Sequence, residues 1–221
     1  MSLERNHQLA VATILVADDH PMFRSAVVHA LGAAVEGCHV IEASSQSALE
    51  ASLLATPEVD LVLLDLTMPG AIGFSSLVWL RAERPEVPVI IISSDDRPRT
   101  VRRAQQFGAA GFVSKAAQAD ALGRSIRRVL AGGLWFESAR AERSPQDAEL
   151  AARLAQLTPQ QFRVLMLLAE GLLNKQIAAR LGLADNTVKI HVTAVLSKLQ
   201  CHTRTQAAVL VKSLDIDSDD D

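Results

Sequence analysis

Cysteine is scarce in this chain. Cys38 and Cys201 are the only two among 221 residues, and they stand far apart. That spacing suits neither a metal site nor a disulfide framework, so both are read as reduced, structural thiols. Long apolar runs are missing too: no stretch approaches the roughly 18 residues needed to span a bilayer. No membrane partner is expected. Residues Met1 to Leu9 are polar and lack a signal-peptide core, which predicts a cytoplasmic protein. There is no internal repeat. Nor is there a surplus of positive charge, since the formal net charge is −3, and taken whole this argues against a nucleic-acid partner. What remains is 49% hydrophobic and 21% charged residues, the balance of an ordinary globular protein. Its length allows one large or two modest domains.

The charge is unevenly spread. From Gln156 to Lys212 seven basic residues (Arg163, Lys175, Arg180, Lys189, Lys198, Arg204 and Lys212) stand against Glu170 and Asp185, a net +5. From Ser213 onward Asp215, Asp217, Asp219, Asp220 and Asp221 bring −5. A basic module is therefore hidden by an acidic tail, the one low-complexity run, read as disordered.

The stretch that organises the rest is V-D-L-V-L-L from Val59 to Leu64, followed by Asp65. A near-continuous run of β-branched residues and leucine suits a strand buried on both faces of a parallel sheet. Pro69 and Gly70 turn the chain after it, leaving Asp65 at the strand's carboxyl edge. Further strands are predicted at Thr13–Ala17, His39–Glu42, Val89–Ile92 and Gly111–Ser114. Helices are predicted after Pro21, through Ala48–Leu54, and over Leu77–Arg84, Arg99–Phe107 and Leu122–Leu130. Five strands each followed by a helix predict a doubly wound parallel α/β sheet. Ser138 to Gln156, rich in Ala, Arg, Glu and Gln, reads as a linker with some helical tendency.

In such a sheet all carboxyl ends open on one edge, which gathers Asp18, Asp19, Asp65, Ser93 and Lys115. Carboxylates brought together repel unless a hard divalent cation or a lysine sits among them. Mg²⁺ suits such a site, held by one or two carboxylates, waters and a phosphate. Lys115 offers a point charge for a phosphoryl oxygen, and the Ser93 hydroxyl a hydrogen bond.

As a set, these residues make positions 13–131 resemble the receiver domain of two-component response regulators, a flavodoxin-like (βα)5 fold. The resemblance implies that Asp65 is the phosphoacceptor, attacking the phosphohistidine of a sensor histidine kinase. It makes Asp19, Asp18, Asp65 and the Thr67 carbonyl the Mg²⁺ ligands. Ser93 becomes the switch hydroxyl, Lys115 the phosphate-pairing lysine and Phe112 the aromatic switch; Phe112 also reads as plain core. Ala116 stands where many receivers have proline, so no cis peptide is expected there. Asp95-Asp96 either cap the following helix or add charge at the pocket mouth. An aspartyl-phosphate phosphatase is the enzymatic alternative, disfavoured because strand one carries adjacent aspartates rather than D-x-D; the expectation is no enzyme.

Thr158-Pro159-Gln160-Gln161 opens a second module with a capping-box pattern. Helices are predicted to about Glu170, over Lys175–Leu181 and Asp185–Leu199, and over Arg204–Ser213. Ala178 and Ala179 are small where two helices cross, and Gly182 permits the turn between them. Val188, Val192, Val195, Leu196 and Leu199 form a buried stripe, leaving Asn186, Lys189, Ile190, Thr193 and Ser197 to a major groove.

Residues Leu157 to Leu199 resemble the LuxR-type helix-turn-helix output domain, here an all-α four-helix unit. The resemblance implies that Lys189, Ile190 and Thr193 face bases, with Asn174, Lys175, Thr187, His191 and Lys198 near phosphates. It also implies pairing through the last helix, with Ala207, Ala208, Leu210 and Val211. Gln161, Ala184 and Thr193 depart from common family choices, and Ala184 cannot cap its helix. The expected layout is an extension (1–12), a receiver (13–135), a linker (136–156), a DNA-binding domain (157–213) and an acidic tail (214–221). The expected function is a response regulator and transcription factor, phosphorylated on Asp65 and binding double-stranded promoter DNA as a homodimer. RNA polymerase is a further candidate partner. A regulator that works without phosphorylation is the remaining alternative.

Overall fold

The computed structural model describes residues 11–136 and 144–216. Most of the N-terminal extension, the first part of the linker and four of the five tail aspartates lie outside these residues. The expected disordered tail (214–221) is described only over residues 214–216, and there the expectation fails: Leu214 is fully buried and the Asp215 carbonyl accepts a hydrogen bond from Arg103, while residues 217–221 lie outside the described part.

Strands β1 (Thr13–Ala17), β2 (His39–Ala43), β3 (Leu61–Asp65), β4 (Val89–Ser93) and β5 (Gly111–Ser114) form one parallel sheet in the order β2-β1-β3-β4-β5. Helices α1 (Pro21–Ala34), α2 (Gln46–Ala55), α3 (Ser75–Glu83), α4 (Pro98–Gln106) and α5 (Ala119–Leu130) make the crossovers. This is the doubly wound, flavodoxin-like arrangement, in which the strand order reverses between β1 and β3. Strand alternation supplies both faces. Leu15, Val62, Leu64 and Ile91 point into a cluster with α2, α3 and α4 residues, whereas Ile14, Val16, Leu63 and Ile90 pack with α1 and α5 residues. β3 is buried at every position, which is why its sequence shows no alternation.

Helix starts explain most boundary differences. α2 begins two residues early because the Ser45 hydroxyl accepts the Ala48 N–H at 3.2 Å. α5 begins at Ala119, with Asp120 in its positive first turn.

The linker holds a helix of its own, α6 (Pro145–Leu154). Ser144 caps it, accepting the Asp147 N–H at 3.3 Å, and Pro145 occupies its first turn. Leu154 is buried, with Leu150 and Ala151 packed beside it.

The second module comprises α7 (Pro159–Ala169), α8 (Asn174–Leu181), α9 (Asp185–Lys198) and α10 (Arg204–Lys212). The expected capping box opens α7: the Thr158 hydroxyl accepts the Gln161 N–H, and Gln161 Oε1 accepts the Thr158 N–H at 3.1 Å. Gly182 ends α8 in the left-handed conformation at φ 65°, so the turn into α9 needs no strain. α9 lacks a side-chain cap, because Ala184 has nothing to offer and Asp185 sits one position too late.

The two modules share one apolar cluster, from Phe74, Leu77 and Val78 through Leu154 and Leu157 to Phe162 and Leu214. The Phe74 N–H donates to the Leu214 carbonyl at 3.0 Å.

Candidate functional site

The carboxyl edge of the sheet draws the expected acidic residues together. Register aligns Asp65 with Ile92 on β4, and Ser93 with Ser114 on β5. Asp65 is 1% exposed, as is Ser93. Asp18 is buried and Asp19 half-buried. Lys115 crosses the pocket: its ammonium lies 2.7 Å from Asp18 Oδ2 and 2.8 Å from Asp65 Oδ2. Burial pulls the Lys115 pKa down, but hydrogen bonds and charge from Asp18 and Asp65 outweigh this and raise it. The lysine is therefore held firmly cationic. Thr67 orients the central carboxylate through two bonds. Its hydroxyl donates to Asp65 Oδ2 at 2.9 Å and its N–H to Oδ1 at 3.3 Å.

Two neighbours were not singled out from sequence. His20 Nδ1 lies 2.7 Å from Asp19 Oδ1, and the His20 backbone N–H donates to Asp18 Oδ1 at 2.7 Å. Phe23, on the first turn of α1, sets its ring 4.9 Å under the Lys115 ammonium. His20 follows the Asp18-Asp19 pair directly, a signal that was available; the approach of Phe23 depends on how α1 packs.

Ligand atoms of Asp18, Asp19, His20 and Asp65 lie within 4.8 Å of one another. Asp18 Oδ2 and Asp19 Oδ1 are buried, and each faces a nitrogen at 2.7 Å, Lys115 Nζ and His20 Nδ1 respectively. Clustered buried carboxylate oxygens of this kind are the donor set a hard divalent cation takes. The pocket residues fit Mg²⁺.

The loop after Ser93 resolves the choice over Asp95-Asp96. Asp95 Oδ1 accepts the Arg97 N–H at 3.1 Å and Oδ2 the Thr100 hydroxyl at 2.6 Å, so Asp95 serves the start of α4. Burial alone would raise its pKa, but the hydrogen bonds from Arg97 and Thr100 prevail and lower it. Asp96 instead accepts the Ser114 hydroxyl at 2.9 Å, tying the loop to β5. Ser93 Oγ accepts the Asp95 N–H at 3.1 Å, which leaves its own proton to donate. Phe112 is buried in the cluster beneath α3 and α4.

In the second module α9 buries Val188, Val195 and Leu199, with Val192 and Leu196 packed alongside. Asn186, Lys189, Ile190, Thr193 and Ser197 are all exposed on the other side. Ile190 is 69% exposed, an apolar side chain with nothing of its own domain to cover it. Lys189 leans on Asp185 at 2.9 Å, one turn back, and the Thr193 hydroxyl bonds the Lys189 carbonyl. Asn174 and Lys175 open α8, with Lys175 exposed; Thr187 and His191 are half-buried beside the recognition face. Lys198 differs from the rest, because its ammonium donates to the Gln156 carbonyl at 2.8 Å and to Gln161 Oε1 at 2.7 Å. Ala178 is buried at the α8–α9 crossing, but Ala179 is exposed and plays no part there. On α10, Ala207 and Val211 are buried within their own module, leaving Thr205, Val209 and Lys212 outward.

A phosphoacceptor-like pocket on a parallel sheet, followed by a helical module presenting one bare helix face, defines a two-part signalling regulator. The chain belongs to the response regulators with a LuxR-type output domain. Residues 14–127 match the response regulator receiver domain, and residues 155–211 match the bacterial regulatory proteins of the luxR family. The glycerol metabolism activator of Pseudomonas putida is 36% identical over 214 residues, 91% of this chain and 96% of that protein. The nitrate/nitrite response regulator protein NarL of Escherichia coli K12 is 34% identical over 210 residues, 90% and 94% of the two chains. RcsB of Salmonella enterica serovar Typhimurium, solved bound to a promoter with the phosphomimetic BeF3⁻, is similar in fold. Its TM-score is 0.55 at 21% identity, over 92% of this chain and 98% of that one.

Among the described residues no helix is long and apolar enough to cross a membrane.

Proposed function

We propose that this response regulator takes a phosphoryl group on Asp65 from the phosphohistidine of a sensor kinase and then binds promoter DNA as a homodimer. The observation that carries this reading is the buried Asp65 carboxylate, gripped by Thr67 and Lys115 beside two further aspartates. Asp65 is the nucleophile: one carboxylate oxygen attacks phosphorus, the phosphorus–nitrogen bond of the phosphohistidine breaks, and an acyl phosphate remains. Thr67 fixes the carboxylate plane, so little reorientation is needed before attack. Lys115 exchanges part of its hold on Asp65 for the incoming phosphoryl oxygens, and the Ser93 proton is free to reach another. Asp18, Asp19, Asp65 and the Thr67 carbonyl would hold Mg²⁺, with His20 beside them. The bound ion supplies charge neutralisation between carboxylates and phosphate. Ser93 and Phe112 would then relay the change from the pocket.

On the DNA side, Lys189, Ile190 and Thr193 lie on the exposed face that suits base edges in a major groove, and Asn174, Lys175, Thr187 and His191 flank it where phosphates run. Lys198 joins them once its internal bonds to Gln156 and Gln161 are exchanged. The outward residues of α10 offer the pairing surface. RcsB bound to DNA supports this reading by likeness of fold.

The test is acetyl phosphate with Mg²⁺, read by intact mass. One phosphoryl group should be gained, and lost on Asp65→Asn or on chelation. A mass gain that survives Asp65→Asn would remove Asp65 from the mechanism.

A further inference from the structure

The three lysines of the proposed DNA face are held in three different ways. Lys175 is exposed. Lys189 pairs with Asp185 at 2.9 Å, so a carboxylate of its own helix offsets part of its charge. Lys198, in the last turn of α9, bonds neutral oxygens instead: the Gln156 carbonyl at 2.8 Å and Gln161 Oε1 at 2.7 Å. No carboxylate among the described residues pairs with it.

Both acceptors are fixed in place. Gln156 follows the end of α6, its N–H bonded to the Arg153 carbonyl, and the next residue, Leu157, is buried with Leu154. Arg153 makes a return bond to the Leu199 carbonyl at 3.4 Å, so the ends of α6 and α9 hold each other. Gln161 is fixed by the capping box, in which its N–H donates to the Thr158 hydroxyl and its Oε1 takes the Thr158 N–H. One oxygen therefore closes the capping box and receives the Lys198 ammonium.

Glutamine and glutamate both serve as the third residue of a capping box. They differ in what they do to Lys198. Glutamate would bind the ammonium in an ion pair and cancel much of the charge that a phosphate meets. Glutamine holds the same ammonium through a neutral oxygen, which a phosphate displaces more easily.

We propose that Gln161 is a positioning residue for DNA binding: it keeps Lys198 beside the α9 face with its charge uncancelled, ready for a phosphate to take over. This deepens the DNA reading above and rests on it.

The experiment is a salt titration of the full chain on a fluorescent mixed-sequence duplex, with urea unfolding in parallel. Wild type is compared with Gln161→Glu, Lys198→Met, the two combined, and Lys175→Ala. Gln161→Glu keeps the capping box and puts a negative charge in the first turn of α7, so the unfolding midpoint should hold or rise. DNA affinity should nonetheless fall about three- to tenfold at low salt, and the log–log salt slope should shrink by about 0.9, the share of one phosphate contact. In the Lys198→Met background the same glutamate should change affinity less than about twofold, since only screened repulsion remains. Unchanged affinity and slope for Gln161→Glu, an equal loss with and without Lys198, or a loss of stability that tracks the loss of binding would overturn the proposal. Lys175→Ala separates the two readings. If it flattens the salt dependence and Gln161→Glu does not, the role of Gln161 alone falls. If it too has no effect, the DNA reading falls and this proposal with it.

Discussion

Asp95 shows how one side chain near a phosphoacceptor is committed to structure. Its two oxygens take the Arg97 N–H and the Thr100 hydroxyl, and these bonds hold its pKa below the ordinary aspartate value of about 3.9. A carboxyl with a lowered folded pKa adds stability above its unfolded pKa and loses it as pH falls through the folded value. Asp95→Asn should therefore cost stability at neutral pH. The gap from wild type should close as pH drops below about 4. Urea unfolding over a pH series measures this. A gap that stays constant into strong acid would mean that the Asp95 charge is not what the loop depends on. Asp65 contrasts with it, since its oxygens face a lysine and other carboxylates rather than a helix start.

At the scale of single elements, α8 and α9 divide their labour between phosphates and bases. Lys175→Ala should weaken binding to all duplexes alike and flatten its salt dependence, by about one counterion for each phosphate contact. Lys198→Ala should do the same with an added loss of stability, because Lys198 also ties α9 to Gln156 and Gln161. Lys189→Ala should alter half-site preference, by roughly 1–3 kcal/mol for a good base contact. Salt titrations on cognate and scrambled duplexes separate these. If all three lysine variants bind like wild type, α9 does not enter the groove. The elements also show what a sequence makes visible. β3 and its Asp65 were legible because a strand buried on both faces has to read as an apolar run. The pocket was legible because a parallel sheet brings all its strand ends to one edge. α6 reads mainly as linker in the sequence: its apolar Leu150 and Leu154 pack into the shared cluster with distant partners, and only Ser144-Pro145 marks its start locally. The inward turn of Lys198 was hidden for the same reason, since its partners lie 37 and 42 positions away. Ala179 misled through its neighbour Ala178, which alone faces the crossing.

At the scale of the molecule, receiver and output module meet around Gly73. Its φ is +46°, and a Cβ built there would lie 2.2 Å from the Leu214 carbonyl oxygen and 2.8 Å from Asp215 Cα. Gly73→Ala should push residues 214–215 off the receiver and break the Phe74–Leu214 hydrogen bond, while backbone strain adds roughly 1–3 kcal/mol. Faster exchange of the Phe74 amide and a larger radius of gyration by small-angle scattering are the expected results. An unchanged Phe74 amide would show that the modules accommodate the methyl without parting. The same contact also has a bearing on synthesis. Leu214 leaves the ribosome 140 residues after Phe74, the separation of the two partners in their hydrogen bond. At about 5–20 residues per second, that is a wait of roughly 7–28 seconds. Throughout that interval the nascent receiver presents the start of α3 without its final cover. That exposed edge gives chaperones, or a neighbouring chain on the same polysome, a timed opportunity that the finished protein no longer offers.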